Sequence, residues 1–107
     1  MRANIEIDCS SEPPPPGAPV IVQVRDTSVA DAAATIVAEA RTTVEMAAGQ
    51  PLAKVEFELP DDIEGKTVWA LIDVDRDGGV SRGDYITKQS FPLRSVDRMR
   101  VTVSRVG

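Results

Sequence analysis

Apolar and polar side chains alternate along most of this chain, the pattern of strands whose two faces meet different surroundings. The clearest stretch runs from Pro19 to Arg25, where Val20, Val22 and Val24 point to a core and Gln23 and Arg25 point away. Val55, Phe57 and Leu59 alternate in the same way with Lys54, Glu56 and Glu58, as do Met99, Val101 and Val103 with their polar neighbours near the C-terminal end. From Thr67, the residues Val68, Ala70 and Ile72 share one face while Trp69 and Leu71 take the other, which predicts a strand covered on both sides. Ile5 and Ile7, set between Asn4, Glu6 and Asp8, predict a short strand at a sheet edge, and Tyr85 to Phe91 predicts a strand that Pro92 ends.

The segment from Ala32 to Ala48 supports two readings. Ala33, Ile36, Val37, Ala40 and Val44 follow helical spacing in an alanine-rich stretch. Ile36, Ala38, Ala40, Thr42, Val44 and Met46 also alternate against Thr35, Val37, Glu39, Arg41, Thr43 and Glu45, as a strand would. Between the periodic stretches stand breakers: a proline-rich connector over 12–19, and turn residues at Asp26 to Asp31, Gly49 to Pro51 and Pro60 to Gly65. About seven short strands with turn signals every ten or so residues predict one all-β domain over 1–107, an antiparallel β-sandwich.

One turn carries chemistry. Over 73–84, Asp73, Asp75 and Asp77 hold positions 1, 3 and 5, Gly78 position 6, Val80 position 8, Ser81 position 9 and Asp84 position 12. That is the ligand spacing of a calcium loop, in which a hard cation collects six to eight oxygens from alternate side chains and a backbone carbonyl. The expected ligands are the Asp73, Asp75 and Asp77 carboxylates, the Gly79 carbonyl, Ser81 directly or through water, and Asp84 closing the shell. Gly78 supplies the sharp turn, and Val80 is expected to point inward as an apolar pin. Aspartate at the last position, and Arg76 and Arg82 within the loop, predict a weak site. β-branched and aromatic flanks, rather than helices, make it a structural site closing a hairpin, not a switch. A metal-free acidic hairpin is the alternative, since Asp and Gly are also ordinary turn residues.

Composition narrows the classes. The 107 residues carry a formal net charge of -5, which disfavours a nucleic-acid partner. There is no histidine, which removes the commonest general base and most zinc sites. The acidic pairs Glu56/Glu58 and Asp61/Asp62 read as solvated faces, and a saturated calcium loop leaves no open position for hydrolysis, so no enzyme is expected. Cys9 is the single cysteine and reads as a small strand residue. No signal peptide and no apolar run near the ~20 residues of a membrane span are present, so no membrane insertion is expected.

Pro14, Pro15, Pro16, Gly17 and Ala18, followed by Val22, Gln23, Val24, Asp26, Ser28, Ala30, Asp31 and Ala32, form a block that resembles the family of small bacterial lipoproteins containing the YscW-type pilotins of type III secretion and the YbaY-type lipoproteins. The resemblance extends from about Ile5 to Leu93 through Ile36 to Glu39, Phe57 to Pro60 and Trp69 to Leu71. It implies a prealbumin-like or immunoglobulin-like sandwich, a strand at Thr35 to Val44, no catalysis, and a periplasmic or cell-envelope setting in which some members help a secretin assemble. Two features depart from it. The family's lipid-bearing N-terminus has no counterpart before Cys9, and its members mostly have a short turn where this chain has the 73–84 loop. The leading expectation is a non-catalytic, envelope-associated binding module with a structural calcium loop. The alternative is a pilotin-like or chaperone-like protein that captures a secretion-system partner, for instance by strand addition at an open sheet edge.

Overall fold

The path of hydrogen-bonded strands runs β3-β2-β5-β6-β8-β1-β4, with β7 pairing β5 beside it. The strands are β1 (Arg2–Cys9), β2 (Pro19–Asp26), β3 (Thr35–Thr43), β4 (Ala53–Glu58), β5 (Lys66–Ile72), β6 (Tyr85–Ile86), β7 (Phe91–Pro92) and β8 (Arg98–Arg105). The computed structural model describes residues 2–9, 14–26, 35–45, 51–59, 64–76, 78–88, 91–93 and 98–106. Met46, Asp77, the acidic pair Asp61/Asp62 and most of the turns read at Asp26 to Asp31, Gly49 to Pro51 and Pro60 to Gly65 lie outside the described residues.

The all-β class follows from the alternation. Val20, Val22 and Val24 of β2 are fully buried, as are Ile5 and Ile7 of β1, Ile72 of β5, and Val101 and Val103 of β8. Each such side chain stabilises the fold by roughly 1.5–3 kcal/mol relative to exposure. Lys54, Glu56 and Glu58 face solvent while Ala53, Val55 and Phe57 enter the core. The ambiguous segment is a strand: Ala38, Ala40 and Thr42 are half-buried while Glu39, Arg41 and Thr43 are exposed. Pairing with the strongly β-forming β2 overrides the alanine content, since cross-strand packing outweighs intrinsic preference.

Three features of the sheet differ from the expectation. The β1 strand lies inside the sheet, antiparallel to β4 and parallel to β8. The sheet is therefore mixed, and β1 is longer and more buried than its two isoleucines announce. The expected return strand from Tyr85 to Phe91 consists of two short pieces, β6 and β7, both antiparallel to β5. Finally, β8 serves two neighbours, pairing β1 along Arg98 to Val103 and β6 at Ser104 and Arg105, so it carries the sheet around a corner. The ends β3 and β4 approach each other, with Glu45 N donating to Leu52 O at 2.7 Å, so the sheet nearly closes on itself around one core.

On the outer face of β1 and β8, Glu6 is largely buried although it stands at a polar position. Arg98 Nε lies 3.1 Å from its Oε2 and Arg100 Nη2 lies 3.3 Å from its Oε1, so two guanidinium groups offset the cost of covering the carboxylate. Gln23, expected to face solvent, is only 8% exposed. It stands in register between Glu39 of β3 and Trp69 of β5. Its Nε2 donates to Glu39 Oε1 at 2.8 Å, and its Oε1 accepts from Arg25 Nε and Nη2 at 2.8 and 2.6 Å. Arg25 in turn stacks 4.1 Å from the centroid of the Trp69 ring, which makes Trp69 a half-buried rim anchor. The amide of Gln23, with Arg41 assisting against a smaller opposing effect of burial, holds the Glu39 carboxyl below the ordinary carboxylate range. That contribution is present above the ordinary carboxylate pKa and is lost as pH falls through the lowered value.

Candidate functional site

The 73–84 loop joins β5 to β6, and the register of those strands sets the distance between its two necks. Ile72 faces Tyr85 across the pair, so Asp73 and Asp84 are the next residues out on either side. Both neck residues are buried, at 3% and 0% exposure. The fold stitches the loop down from two directions. Asp73 N donates to Pro19 O at 2.9 Å, and beyond the end of β8 the backbone of Val106 exchanges bonds with Asp84 O (2.7 Å) and Gly83 N (2.9 Å).

Inside the loop the carboxylates serve as backbone caps. Asp84 Oδ1 accepts from Val74 N at 2.8 Å, and its Oδ2 accepts from Ser81 N at 3.0 Å. Ser81 Oγ lies 3.0 Å from Asp84 Oδ2 and 2.5 Å from Asp75 Oδ2, so its hydroxyl links the two acids. Asp73 Oδ2 accepts from Gly78 N at 2.8 Å. These bonds account for aspartate at the two necks of a loop that must turn back within a few residues. Gly78 takes a φ of 83°, a conformation that strains any residue with a Cβ, as the sequence requires of it. Arg76 adopts a left-handed φ of 60° and its Nη2 donates to Gly17 O at 3.3 Å, which ties the loop to the proline-rich connector.

Of the residues read as ligands, Asp73, Asp75 and Asp84 come together, with one carboxylate oxygen from each lying within 4.8 Å of the others, and Ser81 sits beside them. Gly79 is exposed in the outer part of the loop, and Asp77 lies outside the described residues. Val80 does not point inward: it is 50% exposed. An inward pin needs an apolar wall from flanking helices. Here the flanks are β5 and β6, whose apolar side chains are turned into the sheet's own core. The connector contact at Gly17, the anchoring by Val106 and the row of Trp69, Arg25, Gln23 and Glu39 were not legible as a site. Their signal is alternate outward polar positions, which every solvated strand shows.

No protein-family model matches the chain, and no curated protein matches it. Among solved structures, an alternative pilotin from the type II secretion system of Vibrio cholerae is similar over 100% of this chain and 97% of its own, with a TM-score of 0.73 and 20% sequence identity. The chain thus has a pilotin-like fold.

Proposed function

We propose that this chain is a non-catalytic, envelope-associated binding module of the pilotin kind whose partner is a segment of a secretin. The observation that carries the reading is the end-to-end correspondence with the type II secretion pilotin, which leaves almost nothing of either chain unmatched. The block from Gln23 to Ala32, with its resemblance to YscW-type and YbaY-type proteins, points the same way. The absence of histidine and the use of the loop acids as backbone caps favour binding over catalysis. The test is a fluorescence-anisotropy titration of the purified chain against labelled overlapping peptides covering a secretin encoded in the same genome. Saturable binding to one segment, competed by the unlabelled peptide, is expected. Absence of saturable binding to every segment overturns the reading.

A second, compatible reading is a weak structural calcium site at Asp73, Asp75 and Asp84, with Ser81 beside them. What favours it is the approach of three carboxylates within 4.8 Å, an arrangement whose mutual repulsion a divalent cation relieves. Both Asp84 oxygens already accept backbone hydrogen bonds, which leaves fewer lone pairs for an ion and keeps the expected affinity low. Millimolar calcium is expected to shift the amide signals of Gly78 and Gly83 and to raise the melting temperature, because an ion that binds only the folded state stabilises it by mass action. Superimposable thermal scans in EDTA and in calcium reject this reading and leave the acidic hairpin.

A further inference from the structure

The outer face of β4, β1 and β8, away from the 73–84 loop, carries a depression of about 430 Å³ lined by Asn4, Glu6, Lys54, Glu56 and Arg98. Its cause is the strand register. Asn4 stands in line with Glu56 of β4 on one side and with Arg98 of β8 on the other, so a short side chain lies between two long ones. The volume is within the range of small-ligand sites.

The lining has spare donors, while its carboxylates are already engaged. Glu6 is the cross-strand neighbour of Lys54 and its natural partner. Its side chain is only 8% exposed, however, and its two oxygens are taken by Arg98 and Arg100 of β8. Glu56 meets Arg2 Nε at 3.0 Å. Lys54 is exposed and has no hydrogen bond or ion pair among the described residues, which leaves an ammonium with three donors at the depression. Arg98 meets Glu6 through Nε at 3.1 Å while its side chain stays 75% exposed. A guanidinium carries five N–H donors, more than a carboxylate shared with Arg100 takes up. What the lining lacks is one more acceptor of negative charge. A carboxylate suits it, because it matches the planar fork of arginine and pairs with the point charge of lysine. Glu6 and Glu56 stand in the same lining and repel a doubly charged phosphate more strongly than a singly charged carboxylate.

We infer that this depression binds an acidic side chain of a peptide partner, with Lys54 and Arg98 as the contacting residues. The site is defined by its chemistry and holds whichever protein supplies the peptide, so it stands apart from the secretin reading. The test is a nuclear magnetic resonance titration of the full chain with the capped peptide acetyl-Ala-Glu-Glu-Ala-amide and with its Gln-Gln counterpart. Saturable shifts at the amides of Asn4, Lys54 and Arg98 are expected with the first peptide and none with the second. Lys54→Met breaks no ion pair within the described residues and is expected to weaken binding about two- to fivefold, the effect of one exposed charge pair. Arg98→Gln is expected to weaken it at least as much, and Arg41→Gln, the same loss of charge on β3, to leave it unchanged. Melting curves verify folding, and Lys54→Met decides by itself should Arg98→Gln unfold the chain. Absence of saturable shifts up to the solubility limit overturns the proposal. So do shifts confined to other residues, equal binding of the Gln-Gln peptide, tighter binding of inorganic phosphate, or an effect of Arg41→Gln as large as that of Lys54→Met.

Discussion

Replacement of Asp84 by alanine is expected to lower the unfolding free energy by about 3 kcal/mol, or about 15 °C in melting temperature for a chain of this size. The reason lies in what the carboxylate holds. Asp84 is fully buried and accepts from Val74 N, Ser81 N and the Ser81 hydroxyl, so its removal strands part-buried donors at the mouth of the β5–β6 hairpin. The loss should appear in EDTA as fully as in calcium, since the donors belong to the protein. Asp75 makes the useful contrast: it is exposed and accepts from the Ser81 hydroxyl, so Asp75→Ala in EDTA is expected to cost less than about 1 kcal/mol. Urea denaturation of the three proteins decides. A cost for Asp84→Ala that vanishes without calcium would show that the residue serves an ion and not the backbone.

The second large effect lies at the other end of the core. Ile7→Ala is expected to cost about 2–5 kcal/mol, because the side chain is fully buried between Ala53 of β4 and Val101 of β8. Ile36→Ala, at an exposed position, is expected to change the stability of the fold by no more than about 0.5 kcal/mol. The two substitutions remove the same atoms, and only the surroundings differ. Measured at equal denaturant slope, the pair tests the burial of the inner face of β1: similar small costs at both positions would show that Ile7 is not covered by the core.

The sequence reading of β1 went wrong for an identifiable reason. Ile5 and Ile7 alternate with Asn4, Glu6 and Asp8, and alternation reports one apolar and one polar face. It carries no information on how many neighbours a strand has, because neighbours bond to the edges of the backbone and not to its faces. Arg98 and Arg100 reach Glu6 from β8, a strand more than ninety positions away, and nothing near Glu6 in sequence announces them. The inward turn expected of Val80 failed on the same ground, since the wall it required comes from flanking helices and the loop's flanks are the strands β5 and β6.

In the 73–84 loop the legible part was larger. The spacing of Asp73, Asp75 and Asp84 placed three acids at one point, and the structure brings them together. Which lone pairs remain for a ligand could not be read, because both oxygens of Asp84 are turned to the backbone of its own loop.

What the order of residues determined by itself is local: the faces of β2, β4, β5 and β8, the all-β class, the positive φ at Gly78 and the convergence of the loop acids all follow from steric and hydrophobic rules acting over a few residues. What tertiary structure alone decided is which edges meet. The parallel run of β1 beside β8, the burial of Glu6 and Gln23, the anchoring of the loop by Pro19 and Val106, and the approach of β3 to β4 all depend on contacts between segments far apart in the chain. Backbone groups are chemically alike at every position, so their choice of partner is set by the packing of the whole sheet and leaves no mark in any one stretch of sequence.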